Sequence, residues 1–220
     1  MAIRPPDAVL DEIDALSTSL DLGDARRTTR DQWHVTVQFL GNRADLDAVA
    51  DALTGLRGEL SWEQREIVLF GRRVLQPRLI AWAGDRAYRY SGQTLEPRPF
   101  TPTVGRMLAN VSARAGMTFN HVLVNRYRSG EDSMGLHSDD EPELGPDPLV
   151  AIASLGTARR LVVKPRRKQD RDRHELSLGH GALLVMGGTC QRHYVHGVPR
   201  QAGIHGERIS LTFRYLLRDP

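Results

Sequence analysis

Apolar and polar residues alternate with a period of two through residues 206–217. Ile209, Leu211 and Phe213 fall on one side of an extended chain, and Arg208, Ser210, Thr212 and Arg214 fall on the other. The apolar set reads as a core face. The opposite face carries two guanidinium groups and two hydroxyls, so it borders water or lines the interior of a barrel. A second alternation runs through 33–40, with His34, Thr36 and Gln38 on one face and Val35, Val37 and Phe39 on the other. Short apolar runs at 67–70 and 79–83, closed by Gly71 and Gly84, predict further strands, as do 119–127, 149–155 and 182–187.

Helical spacing appears three times. Leu10, Ile13, Leu16 and Leu20 follow Pro5-Pro6 and predict a helix over 7–20; Leu46, Val49, Ala50, Leu53 and Leu56 predict a second. The third has both ends marked: Thr101 as N-cap, Pro102 in the first turn and Gly116 at the end, with Val104, Met107, Leu108 and Val111 as its buried stripe. A few helices followed by many short strands argue for an α+β chain with a sandwich or jelly-roll core.

The chain has 220 residues, enough for one domain plus a small appendage, and needs no disulfide to hold it. Its single cysteine, Cys190, fits a reducing compartment. No run of about 18 apolar residues occurs, and the first six residues lack the apolar stretch of a signal peptide. A soluble, cytoplasmic monomer that does not enter a membrane is expected. The net charge of +3 permits a polyanionic partner without demanding one. Residues 159–173 carry eight Arg or Lys against two Asp, whereas 139–147 are acidic. The basic run reads either as a phosphate-contacting segment or as a solvated hairpin.

His137-Ser138-Asp139 places an imidazole and a carboxylate two residues apart, on one side of an extended segment. With a second histidine from elsewhere, they could hold one ion and leave positions open, the arrangement of non-haem Fe(II) oxygenases. His196, in Tyr194-Val-His-Gly-Val-Pro199, is the best candidate. A buried histidine bonded to a nearby aspartate is the plainer alternative. His174, His180 and His193 read as solvated or structural. If the Arg208–Arg214 face lines a barrel, its arginines suit a small dianion, because a guanidinium fork grips a carboxylate through two hydrogen bonds. Asn125 and Tyr127 share a strand face and can donate to carboxylate or keto oxygens, although such residues alone are often structural.

Taken in order, these residues resemble the AlkB family of nucleic-acid dealkylases. The matching run is Asn125-x-Tyr127, Gly130-x-Asp132-Ser-Met-Gly135-x-His137-Ser-Asp139-Asp140-Glu141, Ser154-Leu-Gly156, Leu183–Met186, Gln191, His196-x-x-Pro199 and Arg208–Arg214. The likeness covers roughly residues 46–220 and is strongest to the branch acting on 1-methyladenine and 3-methylcytosine. It implies a double-stranded β-helix with N-terminal helices packed outside, and Fe(II) held by His137, Asp139 and His196. It implies 2-oxoglutarate held by Asn125, Tyr127, Arg208, Thr212 and Arg214. It places Asp140 at the target base, with Phe70, Tyr88 and Tyr90 as the aromatic side of the base pocket. Tyr194 stands where many relatives have tryptophan. The implied reaction is oxidative dealkylation of alkylated DNA or RNA, releasing succinate, CO2 and an aldehyde. A dioxygenase of the same fold acting on a protein or small molecule is the alternative.

Residues 1–43 resemble something else. Ala2-Ile-Arg-Pro-Pro6 and His34-Val-Thr36-Val-Gln-Phe-Leu-Gly41 look like the first part of a 2H phosphoesterase of the RNA 2′,3′-cyclic phosphodiesterase type. That chemistry needs two H-x-T pairs as acid and base, and the chain offers only His34 and Thr36. The division expected is therefore a remnant over 1–43 and a dioxygenase domain over 44–220.

Overall fold

The structure, a computed structural model, describes residues 2–3, 11, 35–36, 46–69, 71–167 and 173–217. The helix expected over 7–20 (apart from Asp11), most of the strand over 33–40, and Phe70 lie outside the described residues.

The elements begin with β1 (Ala2–Ile3), β2 (Val35–Thr36), α1 (Leu46–Glu59), β3 (Glu66–Leu69), β4 (Arg72–Leu75) and β5 (Leu79–Gly84). They continue with β6 (Tyr88–Tyr90), β7 (Gln93–Leu95), α2 (Pro102–Ala115), β8 (His121–Tyr127) and β9 (Met134–His137). After a 3-10 turn at Pro142–Leu144 come β10 (Val150–Gly156), β11 (Arg159–Pro165), β12 (His174–Leu178) and β13 (Ala182–Met186). The last are α3 (Cys190–His193), β14 (Tyr194–Val198) and β15 (Arg208–Arg214).

Two antiparallel sheets dominate, one in the order β13-β10-β15-β8-β5 and one in the order β12-β11-β14-β9. The architecture is that of a jelly roll. Strand β15 lies at the centre of the larger sheet, which explains its alternation. Its apolar residues Ile209, Leu211 and Phe213 join Val122, Val124 and Ala151 in a cluster with Leu56 and Leu60 of the α1 segment and Val104 and Val111 of α2. Residues of both helices thus pack with the apolar face of this sheet. The opposite face meets the smaller sheet, where Ile152 and Leu184 pack with Leu161, Val163, Tyr194 and Val198.

The ends of α2 follow the sequence. The Thr101 side chain accepts from the Val104 N–H, and Gly116 adopts the left-handed conformation at φ 66°. Thr103 also belongs to the buried face, because the Glu59 carboxylate accepts from its backbone N–H (2.9 Å) and its hydroxyl (2.6 Å). This joins the end of α1 to the start of α2. A Cβ on Gly55 would lie 2.4 Å from Thr103 Oγ1, so the close approach requires glycine there.

Arg159 revises the reading of the basic segment 159–173. It is buried, and its guanidinium donates to the carbonyls of Ser129 (2.7 Å), Asp132 (2.8 Å) and Pro199 (2.9 Å). Its charge pins the loops that follow β8 and β14 and is buried away from solvent.

Candidate metal and cosubstrate site

Register assembles the site. In the larger sheet Arg208 lies opposite Tyr127, and Ser210 lies opposite Asn125 on one side and Ser154 on the other. Residues opposite one another in a ladder share a face, so the polar set of β15 is joined by Asn125, Tyr127 and Ser154. All of these, with Thr212 and Arg214, are buried. The Arg208 Nε donates to Ser154 Oγ (2.8 Å), and its guanidinium lies 5.3 Å from the Tyr127 ring centroid. Its Nη1 is buried without a hydrogen-bond partner. A buried, unsatisfied cationic donor points to an anionic ligand or ordered water.

The smaller sheet supplies a set of side chains that could hold a metal ion. His137 of β9 lies directly opposite His196 of β14, with ring centroids 4.4 Å apart. Asp139 follows β9 and is held by Gln191 and Arg214. Its N–H donates to Gln191 Oε1 (3.0 Å), and its Oδ1 accepts from Arg214 Nη2 (2.5 Å) and Nε (3.2 Å). The potential ligand atoms of His137, Asp139 and His196 all lie within 4.8 Å of one another. His137 Nδ1 is 3.0 Å from the Gly135 carbonyl, which can only accept; Nδ1 therefore carries the proton and Nε2 remains for a metal.

Electrostatics keep the three groups in their ligating forms. Burial pushes the Asp139 carboxyl upward, but Arg214 and the two imidazoles outweigh it and hold the pKa at about 2. Burial, reinforced by His137, lowers His196 to about 3, and burial lowers His137 as well. Neutral imidazoles and an ionised carboxylate are what a divalent ion requires. Asp139 Oδ2, 3.6 Å from His196 Nε2, is buried with no hydrogen-bond partner. These donors fit a two-histidine, one-carboxylate Fe(II) centre. A cavity joins them to the arginine row; its lining includes Asn125, Tyr127, His137, His196, Arg208, Thr212 and Arg214.

The residues expected at the base lie nearby but differ in setting. Tyr88 and Tyr90 are buried in an apolar cluster with Ile80, Trp82, Leu95 and Leu123. The Tyr88 ring faces the Arg214 guanidinium at 5.5 Å and the His121 ring at 4.8 Å. Tyr90 Oη accepts from Arg78 Nη2 (2.6 Å). Neither ring offers an open face in this arrangement. Asp140 is half exposed, and its carboxylate pairs with Arg166.

Sequence reasoning missed Arg78. Its Nε donates to Asn125 Oδ1 (2.7 Å), and its Nη1 donates to the Ser133 carbonyl (3.1 Å). With its oxygen occupied, the Asn125 amide presents its NH2 group for donation. The available signal was parity: Arg78 precedes Ile80 and Trp82 by steps of two, on the inward side of β5. Ser154 stands out in the sequence only within Ser154-Leu-Gly156, and its bond to Arg208 follows from the β10–β15 register.

His121 was missed as well. It is buried, neither ring nitrogen has a hydrogen-bond partner, and burial together with Arg214 lowers its pKa to about 3. An unfolded histidine titrates near about 6.5. Between these values the unfolded chain binds protons that the folded chain does not, so stability falls as pH drops from about 6.5 toward 3. With a chelator present, urea unfolding is expected to show this slope. His121→Phe should remove about 1.4 kcal/mol per pH unit from it and make the protein more acid-resistant. An unaltered slope would rule out a neutral buried imidazole at 121.

Two facing sheets that bring two imidazoles and a carboxylate to one point, beside buried guanidinium groups, define a mononuclear non-haem metal enzyme. The chain matches the model of the 2OG-Fe(II) oxygenase superfamily over residues 32–214 and belongs to that family. Its cofactors are accordingly Fe(II) and, as cosubstrate, 2-oxoglutarate. It is 39% identical over 170 residues to the alpha-ketoglutarate-dependent dioxygenase alkB homolog 3 of Homo sapiens, covering 74% of this chain and 59% of that protein. It is 38% identical over 161 residues to the DNA oxidative demethylase ALKBH2 of Homo sapiens, covering 69% and 61%. The chain thus spans about three-fifths of the length of these curated relatives. A solved structure titled "The structure of OsALKBH1" covers 82% of this chain and 100% of its own, with a TM-score of 0.56 and 16% identity; it bears on the fold alone. The resemblance to AlkB proteins read from the motifs agrees with these relatives.

Proposed function

We propose that the protein oxidatively removes alkyl groups from nucleic-acid bases of the 1-methyladenine and 3-methylcytosine type. One observation carries this reading: the His137–Asp139–His196 set opens onto a buried, arginine-lined cavity, with an acidic residue, Asp140, next along the chain from a ligand. The names of the AlkB relatives support the same direction. His137, Asp139 and His196 would hold the metal. Arg208, Asn125, Tyr127, Thr212 and Arg214 would hold 2-oxoglutarate. When bound, Fe(II) with 2-oxoglutarate and O2 supplies the oxidation that hydroxylates the N-alkyl carbon, yielding succinate, CO2 and, after collapse, an aldehyde.

The chain's own residues do the positioning. The arginine row would fix the cosubstrate's carboxylates, and the apolar walls Ile152, Leu161 and Val198 exclude water. A base reaches a site at this depth only when flipped out or single-stranded, which is easiest for a lesion that already blocks pairing. Alkylation at adenine N1 or cytosine N3 leaves a cationic ring, which the Asp140 carboxylate would favour. Glu141 is the neighbouring carboxyl, raised by burial and lying near Tyr88.

The test supplies Fe(II), 2-oxoglutarate and an oligonucleotide carrying 1-methyladenine, and follows succinate and the restored base. Both are expected in equal amounts. Asp140→Ala is expected to lower repair about tenfold or more, the loss of one charge-assisted contact, with metal affinity unchanged. Succinate without base restoration would remove nucleic acid as the substrate. Equal repair by the variant would remove Asp140 from base recognition.

For residues 1–43 the accompanying proposal is a phosphoesterase-like remnant. Of its H-x-T pair, His34 lies outside the described residues, and Thr36 belongs to β2, which pairs with β1. A cyclic phosphodiester assay is expected to show no turnover. A cytoplasmic, monomeric protein completes the proposal, in keeping with the single buried thiol of Cys190.

A further inference from the structure

We propose that Arg166 is a latch on Asp140, released when a backbone phosphate of the substrate takes its guanidinium. This rests on the reading of Asp140 as the carboxylate that meets the cationic base.

Arg166 holds both residues that flank the ligand Asp139. Its Nε donates to Ser138 Oγ (3.0 Å), and its Nη2 donates to Asp140 Oδ2. Ser138 is itself fixed, because its hydroxyl donates to the Tyr194 carbonyl (2.7 Å). In this state the Asp140 charge is spent on a protein cation. A positively charged base approaching Asp140 would meet the guanidinium first, and the two cations repel. The latch must therefore open before Asp140 can act.

The geometry makes opening easy. The side chains are 41% and 51% exposed, and an ion pair this accessible to water is weak. The Arg166 backbone stays anchored, with its N–H donating to the His193 carbonyl (2.8 Å), so only the side chain needs to move. A phosphate offers the guanidinium two parallel charge-assisted bonds in place of one to Asp140. Arg167 follows directly in the sequence and adds positive charge for a polyanion. Phosphate contact and base recognition are thereby coupled: a lesion on a nucleic-acid backbone unlatches Asp140, and a free base or nucleoside does not.

The experiment compares 1-methyladenosine with a short oligonucleotide carrying 1-methyladenine, using the metal-loaded 220-residue chain as wild type, Arg166→Gln and Arg166→Lys. For Arg166→Gln, kcat/KM is expected to fall about tenfold on the oligonucleotide and to rise several-fold on the nucleoside, as a phosphate contact and a competing cation are both lost. Arg166→Lys keeps the charge but cannot bridge Ser138 and Asp140 together; it should retain the oligonucleotide rate and still raise the nucleoside rate. Independently of turnover, the salt dependence of oligonucleotide binding should lose about one unit of slope in Arg166→Gln. If both substrates decline in parallel, or the nucleoside gains in neither variant, the latch is overturned while the dealkylase reading stands. If the wild type restores neither substrate, the functional reading itself falls and the latch with it.

Discussion

Arg208→Met is expected to weaken 2-oxoglutarate binding by about a hundredfold or more while leaving metal affinity nearly unchanged; truncating one partner of a buried, hydrogen-bonded charge pair costs about 2–5 kcal/mol. The side chain is buried, fixed by Ser154 and stacked against Tyr127, with one terminal nitrogen unsatisfied. It is thus preorganised for a carboxylate and has little other employment. Burial without a carboxylate partner lowers its pKa, a sign that the folded protein bears a cost for the charge. The same substitution should therefore leave the melting temperature of the cosubstrate-free protein equal or higher, even as the ligand is lost. Calorimetric titration of 2-oxoglutarate into protein loaded with a redox-inert divalent ion measures the first effect, and thermal unfolding the second. A variant that binds 2-oxoglutarate normally would move the dianion site elsewhere in the cavity. Arg208→Lys should fall between the two, since a lysine keeps the charge but not the planar fork.

The features legible in the sequence were those set by local period. The alternation of β15 separates an apolar face from a polar one, because a strand in a packed sheet has only two faces; that the polar face is the inward one follows from its register with β8 and β10 and its burial. The caps of α2 were readable for the same reason, since Thr101 and Gly116 act within one turn of the helix. Joining His196 to the His137/Asp139 pair required a long-range hypothesis, and the β9–β14 register brings them together. What stayed hidden were bonds across tens of residues made by side chains with several uses. Arg78, Arg159 and Arg166 are all arginines in polar-looking stretches. One orients Asn125, one pins two loops and one pairs with Asp140. Composition cannot separate them, because the same side chain serves as a buried clamp or a surface charge according to what the fold places opposite. The buried setting of Tyr88 and Tyr90 was unreadable for a related reason: it depends on how the β6–β7 hairpin folds against β5 and β8.

Arg214→Met is expected to destabilise the metal-free protein by about 3–5 kcal/mol, the cost of leaving one member of a buried pair without its partner. Asp139 and Arg214 are both essentially inaccessible, and two of the guanidinium nitrogens converge on Asp139 Oδ1, at 2.5 and 3.2 Å. Arg214 is the leading influence that keeps Asp139 ionised against burial. The pair's contribution is complete above the unfolded carboxyl pKa near about 4 and disappears as pH falls through about 2. At neutral pH the variant thus carries the full penalty. Two further measurements separate stability from ligation. A divalent ion would supply the lost positive charge, so its addition should raise the variant's melting temperature more than the wild type's. Asp139→Leu combined with Arg214→Met replaces the pair by apolar groups and should regain most of the lost stability, while divalent-ion binding, retained in Arg214→Met, is lost. If Arg214→Met alone melts like the wild type, the Asp139 carboxylate is stabilised by its imidazole neighbours, and Arg214 is left free to serve the cosubstrate.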